Sequence, residues 1–210
     1  NFISSYLSNN SFDYNPYCLK QNINKAFEGF YLLGNGFIID KNEALDLISK
    51  YPKNREVLFP YFNGQELYSS PTLQPKFFAI NFDERSLNEA KQYEECFNIL
   101  EKKVKPEREK KDKVKYPKMV DEWWKYWRTR QQLKKGLYGK EFLIAQVIVT
   151  KTHAPVILPS ETICSNSCVV FSLDILFFTI LTSNFHESWA WKYSSTMKTD
   201  RSYSINHAFE

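Results

Sequence analysis

Hydrophobic and polar residues follow patterns that predict several strands along the chain. The strongest strand signal is the apolar run at 142–151, which is followed by a turn and a returning apolar segment at 156–158. A strand at 27–33 precedes Gly34-Asn35-Gly36, and this glycine pair predicts a tight hairpin into a second strand at 37–39. Further short apolar runs predict strands at 56–59, 76–82 and 163–172.

Apolar residues with helical spacing alternate with these strands. Asp40 and Ser86 are typical N-caps, and they predict helices over 41–50 and over 87 to about 103. A third helix is expected over 120–137, and a buried fourth over 173–192. The order contains hairpins and helices but no βαβ repetition, which predicts an α+β fold with a mixed sheet packed by three to four helices.

Composition supports a folded domain with a polar extension. Hydrophobic residues make up 43% of the 210 residues, aromatic residues make up 17%, and only 6 are glycine, which argues against disorder. Residues 1–25 are polar and are predicted as a linker or N-terminal arm, so that the domain covers 26–210. The chain begins at Asn1 without a leader, and we expect it to be a piece of a longer protein.

Two further classes of protein receive little support from the sequence. The most apolar stretch, 168–182, is too short for a membrane span and contains Asp174, so it is predicted to be buried core. The four cysteines do not form a disulfide framework, and Cys164 and Cys168 have no second pair that would indicate a zinc site. We expect reduced structural thiols in a cytoplasmic protein with no membrane contact.

The positive charge is concentrated in one part of the chain. Residues 101–135 contain 14 Lys or Arg and 6 Asp or Glu, whereas the whole chain has a net charge of only +4. A cationic segment on a mildly acidic body is a candidate polyanion-binding surface. The alternative is a solvated helix with i,i+4 ion pairs, but the segment has too few acids to pair its bases.

Catalytic motifs are almost absent. Asp83 followed by Glu101 and Lys103 has the form of a nuclease site in which two carboxylates hold Mg²⁺ and a lysine polarises water. Lysine-rich sequence produces the Glu-x-Lys part by chance, so this Mg²⁺-dependent nuclease is retained only as an alternative. The sequence predicts no catalytic residue and no metal ligand in this fragment.

A series of short motifs in a fixed order carries a family resemblance. They are Phe27-Glu28-Gly29 leading to Gly34-Asn35-Gly36-Phe37, the run 56–67 (EVLFPYFNGQEL), Ile80-Asn81-Phe82, the run 104–108 (VKPER), Trp123-Trp124, and the run 181–190 (LTSNFHESWA). In this order the chain resembles the target recognition domain of MmeI-like type IIG/IIL restriction–modification proteins and of adenine-specific DNA methyltransferases. The resemblance covers about residues 26–210, and the charged stretch 109–118 departs from the usual pattern.

The resemblance implies a fold of the target-recognition type and a division of labour with another domain. In that family this domain binds double-stranded DNA and contacts base edges, while a methyltransferase domain of the same chain flips an adenine and methylates N6 with S-adenosylmethionine. The fragment itself is then non-catalytic and binds no cofactor, and the S-adenosylmethionine is expected in the parent's catalytic domain. Its expected partners are double-stranded DNA and that methyltransferase domain.

The candidate DNA-binding residues fall into two chemical groups. Lysines suit phosphate because they are compact point charges, whereas arginine forks and glutamine amides can hold guanine or adenine edges. The strand matching 142–152 carries part of the base readout in the family. The candidates are Arg108, Lys110, Lys111, Lys113, Lys115, Arg128, Arg130, Gln146, Thr150, Lys151, Thr152 and His153.

Each group also has a structural alternative. Arg128 and Arg130 can pair with Asp121 or Glu122, and Gln146 can be a satisfied buried amide. Trp123, Trp124 and Trp127 can belong to the core, because a reader of duplex DNA has no unstacked base to receive them. A protein-interaction module, in which this aromatic helix docks on the methyltransferase domain, is kept as the second alternative function.

Overall fold

The structure is a computed structural model, and it describes residues 16–210. Its strands in chain order are β1 (Ala26–Glu28), β2 (Ile38–Asp40), β3 (Leu58–Phe62), β4 (Phe77–Ile80), β5 (Phe142–Val147), β6 (Val149–Thr150), β7 (Val156–Pro159), β8 (Ile163–Cys164), β9 (Cys168–Phe171), β10 (Ser195–Met197) and β11 (Asp200–Ser202). Its α-helices are α1 (Lys41–Lys50), α2 (Gly64–Ser69), α3 (Leu87–Ala90), α4 (Glu94–Lys103), α5 (Lys105–Glu109), α6 (Pro117–Asp121), α7 (Gln131–Leu137), α8 (Phe178–Leu181) and α9 (Asn184–Tyr193). The α+β prediction is confirmed, although the helices are shorter and more numerous than expected.

The strands form three sheets. The first has the order β1-β9-β5-β7 and is antiparallel throughout, with Leu143 opposite Leu158 in the predicted β5–β7 hairpin. The second has the order β2-β4-β3-β8, in which β3 and β8 are parallel. The third is small and antiparallel, with the order β10-β11-β6. Because β5 continues almost directly into β6, the third sheet extends from the end of the first.

Apolar side chains cover both faces of the first sheet. Leu143 and Ala145 of β5 belong to the larger core cluster, which also contains the second sheet and α4, whereas Ile144 belongs to a smaller cluster with Phe171, Tyr203 and Phe209. Successive side chains of a strand point to opposite faces, so a strand that is buried on both sides is apolar at nearly every position, as β5 is except at Gln146. This explains why 142–147 gave the strongest strand signal.

Local capping chemistry begins two of the predicted helices. The Asp40 carboxylate accepts a hydrogen bond of 2.7 Å from the backbone N–H of Asn42 at the start of α1. Ser86 and Glu89 form a complete capping box at the start of α3. Both start points were predicted from the sequence and are confirmed.

Other predicted elements are wrong in extent or pairing. Residues 34–36 do not make a hairpin, because β1 and β2 lie in different sheets and Asn35–Phe37 is a 3₁₀ turn. The expected helices over 87–103, 120–137 and 173–192 are each broken into shorter helices, and the expected strand 163–172 is divided into β8 and β9. The last helical region is also not buried, since Leu176 is 76% exposed and Phe185 is 81% exposed.

The first residues that the structure describes lie against the end of the chain. The backbone N–H of Leu19 donates to the carbonyl oxygen of Glu210, and the Asn22 amide donates to the carbonyl oxygen of Phe209 at 2.7 Å. Residues 1–15 of the predicted linker lie outside the described residues. Between residues 16 and 210, no helix has both the length and the apolar character needed to cross a membrane.

Candidate nucleic-acid interface

An exposed loop between α5 and α6 carries the lysines predicted to bind phosphate. Lys110, Lys111, Lys113 and Lys115 are all exposed. The Asp112 carboxylate accepts hydrogen bonds from the backbone N–H of Val114 at 2.9 Å and of Lys115 at 3.3 Å, which fixes the loop in a local turn. Within this ordered loop, Lys113 is engaged by Asp121 at 2.6 Å, whereas the other three lysines form no ion pair with any described residue.

The remaining cations of 101–135 divide into paired and unpaired groups. Lys105, Lys125, Arg130 and Lys134 are held by Glu101, Glu122, Glu28 and Asp83, respectively. Across the described residues, the cations of this segment that are neither buried nor in an ion pair are Lys102, Lys103, Lys110, Lys111, Lys115, Lys118, Arg128 and Lys135. The segment therefore keeps a surplus of unpaired positive charge, as its sequence predicted.

The three candidate arginines have three different environments. Arg108 is only 2% exposed and donates from Nη2 to the carbonyl oxygen of Leu32 at 2.8 Å. Arg130 donates to the carbonyl oxygen of Gly29 at 3.0 Å and to the Glu28 carboxylate at 2.6 Å. Arg128 is exposed, and its backbone forms an isolated bridge with Tyr31. Because Arg108 is buried, the prediction that its guanidinium contacts a base edge is wrong. Of the three arginines, Arg128 is the one whose guanidinium group is free to contact a base edge.

The Gln146 amide lies inside the protein. It is 0% exposed, and neither Oε1 nor Nε2 has a hydrogen-bond partner among the described residues. A fully buried side chain in the middle of the first sheet cannot reach a DNA groove. The structure therefore corrects the prediction that Gln146 contacts an adenine and supports the alternative of a buried amide, although an unsatisfied one.

The segment that follows β5 places three of its four candidates at the surface. Thr150 is partly exposed, and Lys151 and Thr152 are exposed. The Thr150 hydroxyl accepts from the backbone N–H of Thr152 at 3.1 Å, so the turn is ordered, and Lys151 lies 4.0 Å from Asp200. His153 instead points inward, with Nε2 at the carbonyl oxygen of Leu181 and with Nδ1 buried. His153 is thus corrected from a base-contacting residue to a structural one.

A groove beside this turn contains polar residues that the sequence reasoning missed. It has a volume of about 560 Å³, and it lies between the start of α2, the end of β5 with β6, and the β8–β9 turn. Gln65 and Asn166 are exposed on its rim, and Thr150 lies on the same groove. Their sequence context offers no signal, because the three segments meet through long-range contacts. These include the parallel β3–β8 pairing and the hydrogen bonds from Gly64 N–H to the Ser167 hydroxyl and from Val147 N–H to the Tyr68 hydroxyl.

The basic loop and the turn at 150–152 are separate features. No hydrogen bond or ion pair between described residues connects 110–115 with 150–153. The candidate residues therefore form one cationic region and one region of neutral amides and hydroxyls with a single lysine. This division matches the chemical difference between phosphate contacts and base contacts.

Two tryptophans of the cationic segment belong to the core, whereas Trp127 is only partly buried. Trp123 and Trp124 are each 7% exposed, and their rings pack edge to face at 6.0 Å. The Trp124 indole N–H donates to the carbonyl oxygen of Arg85 at 3.0 Å. Trp123 and Trp124 are therefore not available to dock on another domain, and the core alternative is confirmed for these two residues.

Most of the chain is similar to one known protein family. The model of the family described as "MmeI, target recognition domain" matches residues 22–210. The chain belongs to this family. Comparison with curated proteins gives no match.

A solved structure shows the same fold as this target recognition domain. It is that of the type IIL restriction–modification enzyme MmeI in complex with DNA, and the two chains have a TM-score of 0.66 at 14% sequence identity. The similarity covers 88% of the present chain but only 24% of MmeI. The target recognition domain thus spans about a quarter of the length of that enzyme, and the family predicted from six short motifs is confirmed.

The residues of the alternative nuclease site are occupied elsewhere in the target recognition domain. Asp83 forms an ion pair with Lys134, and Glu101 forms one with Lys105 at 2.9 Å. Among residues 16–210 no group of three or more His, Cys, Asp or Glu side chains is arranged to hold a metal ion. Nothing in this arrangement favours the nuclease over recognition.

Proposed function

We propose that this chain binds double-stranded DNA and recognises a base sequence in it without making or breaking a covalent bond. The observation that carries the proposal is the exposed loop in which Lys110, Lys111 and Lys115 form no ion pair with a described residue, in a chain that belongs to the MmeI target recognition domain family. Lysines without carboxylate partners are free to replace the counterions of a DNA backbone.

Phosphate and base contacts are assigned to different regions. Lys110, Lys111 and Lys115 neutralise phosphates from the loop. Base edges are contacted by the Arg128 fork and by the groove and turn that contain Gln65, Thr150, Lys151, Thr152 and Asn166, because amides and guanidinium groups match the donor and acceptor patterns of base pairs. Arg108, Gln146 and His153 support these regions from inside the protein.

The salt dependence of duplex binding tests the assignment of the loop. The double variant Lys111→Gln/Lys115→Gln is compared with Lys76→Gln/Lys91→Gln, which removes the same charge from exposed positions outside 101–135. Affinity for a random-sequence duplex is measured by fluorescence anisotropy at several salt concentrations. We expect the slope of log affinity against log salt to become shallower by roughly 0.9 for each lysine that contacts a phosphate, in the loop variant only. Equal slopes in both double variants would refute the phosphate role.

We also propose that this domain works as one part of a longer enzyme. By family membership, the parent is a cytoplasmic, site-specific adenine-N6 DNA methyltransferase, with or without an endonuclease domain. Its S-adenosylmethionine is bound by a separate methyltransferase domain, and no residue of this chain is assigned to that cofactor. The four free cysteines, three of them buried, are in keeping with a reducing compartment.

An exposed apolar surface is the candidate contact with that methyltransferase domain. It is formed by Ile175, Leu176, Phe177, Ile180 and Phe185, which are between 44% and 81% exposed. Contiguous exposed apolar residues on a soluble domain mark an interaction site. The aligned MmeI chain is about four times longer than the part this chain matches, so a neighbouring domain of the same chain is the occupant we propose.

A further inference from the structure

A small cavity lies beneath the cationic segment, and we call it the Arg108 cavity. It has a volume of about 120 Å³, and the residues that matter for its chemistry are Arg108, Lys118, Lys125, Tyr126, Glu84 and Glu122. Because roughly 10–15 Å³ of such volume accommodates one water molecule, the cavity has room for a polyatomic ion. Its position between α5, α6 and the turn after α6 separates it from the groove near Thr150.

Arg108 brings a buried and incompletely satisfied charge to this cavity. Nη2 is engaged by the carbonyl oxygen of Leu32, and the guanidinium centre lies 5.5 Å from the Phe37 ring centroid. Nε and Nη1 are buried and have no partner among the described residues. Burial lowers the pKa of Arg108 to about 10, an effect that the neighbouring Glu107 only partly opposes, so the group remains charged at neutral pH. A buried cation without a counter-charge is strongly unfavourable.

The acids that line the cavity do not supply that counter-charge. Glu122 forms an ion pair with Lys125 at 2.6 Å, and Glu84 accepts a hydrogen bond from the Gln131 amide. No hydrogen bond or ion pair in the described part of the chain joins either carboxylate to Arg108. The positive charge of the guanidinium is therefore left for something that enters the cavity.

Two further groups on the cavity wall are suited to an anion. The Tyr126 hydroxyl is buried and has no partner among residues 16–210, so it is available as a donor. Lys118 is exposed at the wall and forms no ion pair with a described residue. The wall thus combines a guanidinium fork, a hydroxyl and an ammonium group, a combination of donors that suits the oxygens of a tetrahedral oxyanion.

We propose that the Arg108 cavity binds a small oxyanion of the phosphate or sulfate class. In this structure these donors have almost no surface accessible to water, so the Arg108 and Tyr126 side chains turn toward the cavity as the oxyanion binds. Nε and Nη1 of Arg108 and the Tyr126 hydroxyl then donate hydrogen bonds to its oxygens, and Lys118 adds positive charge at the entrance. Water could satisfy these donors, but it would leave the guanidinium without a counter-ion. The oxyanion is either a free ion that completes the fold or a phosphate group of bound DNA, and the two sources share the same binding chemistry.

Thermal unfolding of the chain with added sulfate or inorganic phosphate tests the site. The salt is varied in the low millimolar range against chloride at constant ionic strength. We expect a saturable rise in Tm of about 5 °C for the unmodified chain. Arg108→Met keeps most of the side-chain volume and removes the donors, and it should abolish the rise, while Lys91→Gln, at an exposed lysine outside the cavity, should retain it.

Two milder variants keep the test decisive if Arg108→Met does not fold. Tyr126→Phe removes one hydroxyl and Lys118→Gln changes one exposed side chain, and each should raise the half-saturating oxyanion concentration several-fold. The proposal is overturned if the unmodified chain shows no saturable rise, which would mean that water fills the cavity. It is also overturned if the half-saturating concentration is the same in these variants as in the unmodified chain.

Competition with a short DNA duplex distinguishes the two sources of the oxyanion. If a DNA phosphate occupies the cavity, sulfate at constant ionic strength weakens duplex binding, and this weakening is lost in Tyr126→Phe. If a free ion occupies it, sulfate leaves duplex affinity unchanged or improves it. Because the thermal measurement contains no DNA, a failure of duplex binding would count against the proposed function and not against the oxyanion site.

Discussion

The hydroxyl of Tyr203 lies 3.0 Å from Nε2 of His186, which connects α9 to the segment that follows β11. The rings of His186 and His153 are 5.4 Å apart, and the Arg201 guanidinium centre lies 5.6 Å from the Tyr203 ring centroid. Burial, followed by the positive charges of His153 and Arg201, lowers the pKa of His186 to about 4. Arg201 lies in β11 and is paired with Thr150 of β6, so protonation of this cluster bears on the turn at 150–152.

Acid should destabilise the protein through His186. Its folded-state pKa is depressed, so the unfolded chain binds the proton more readily, and stability that is complete above about pH 6.5 is lost as the pH falls toward 4. The difference between a pKa of about 4 in the folded state and about 6.5 in the unfolded state corresponds to a loss of roughly 3 kcal/mol in the free energy of unfolding. Urea unfolding at several pH values should show this loss, and His186→Gln should reduce it, whereas the exposed His207→Gln should not. An unchanged pH dependence in His186→Gln would place the acid sensitivity elsewhere.

Arg128 should determine the preference for one base pair. Its side chain is exposed and unpaired, and a bidentate contact to guanine contributes about 1–3 kcal/mol of discrimination. The sequence that each chain selects from a randomised duplex library measures this preference. Arg128→Ala should lose the base preference at one position of that sequence and keep it at the others. Arg128→Lys should not restore it, because lysine lacks the planar fork.

Arg130→Ala is the matched control for this experiment. Its guanidinium is held by Glu28 and by the carbonyl oxygen of Gly29, so the substitution should lower stability by about 1 kcal/mol and leave the selected sequence unchanged. If Arg130→Ala alters the selected sequence and Arg128→Ala does not, Arg130 is the residue that contacts the base and Arg128 is not.

Predictions from sequence succeeded where the cause is local. Asp40 and Ser86 begin helices because each side chain binds a backbone N–H within three residues. The glycines at 34 and 36 do mark a turn, but a turn signal does not determine which strands pair, and β2 pairs with β4 instead. The helix from 87 breaks before Glu94 where the Tyr93 hydroxyl donates to Glu56 at 2.6 Å, a contact between residues far apart in sequence.

The site was harder to predict than the fold because it depends on contacts between residues that are far apart in sequence. The surplus of charge in 101–135 is a property of composition and remained after folding, whereas the burial of Arg108 depends on the carbonyl oxygen of Leu32. Gln65 and Asn166 reach one groove because contacts between distant parts of the chain, among them the parallel pairing of β3 and β8, bring their segments together. Composition therefore identified the polyanion-binding class, and tertiary contacts determined which side chains are available to it.

Gln146 should be dispensable for DNA recognition and costly for stability. It is 0% exposed and both polar atoms of its amide lack partners among the described residues. An unsatisfied buried polar group costs about 1–3 kcal/mol, so Gln146→Met should raise the free energy of unfolding by an amount in this range. The sequence selected from a duplex library should not change. A changed selected sequence would restore Gln146 as a base-contacting residue.

Gly29 should tolerate no side chain. A Cβ atom at this position would collide with the carbonyl oxygens of Cys164 and Ser165, and both belong to the backbone, which cannot move aside as a flexible side chain would. We expect Gly29→Ala to lower the free energy of unfolding by about 3 kcal/mol or more. Gly139→Ala meets no atom within 4 Å but has a φ of +74°, so it should cost only about 1 kcal/mol. Chemical denaturation of both variants measures the difference, and similar losses would contradict it.

The exposed apolar surface should contribute to association and not to the stability of this domain. Leu176 and Phe185 are 76% and 81% exposed, so Leu176→Ser/Phe185→Ser should change the free energy of unfolding by less than about 1 kcal/mol. The same double variant should weaken binding to the methyltransferase domain that we propose for the parent, produced separately, by at least tenfold, because buried apolar anchors dominate interfaces. Val114→Ser, which removes an apolar side chain that is 93% exposed in the basic loop, is the control and should leave that binding unchanged. Isothermal titration of the two domains decides the matter, since equal affinities for all three chains would mean that another surface holds the domains together.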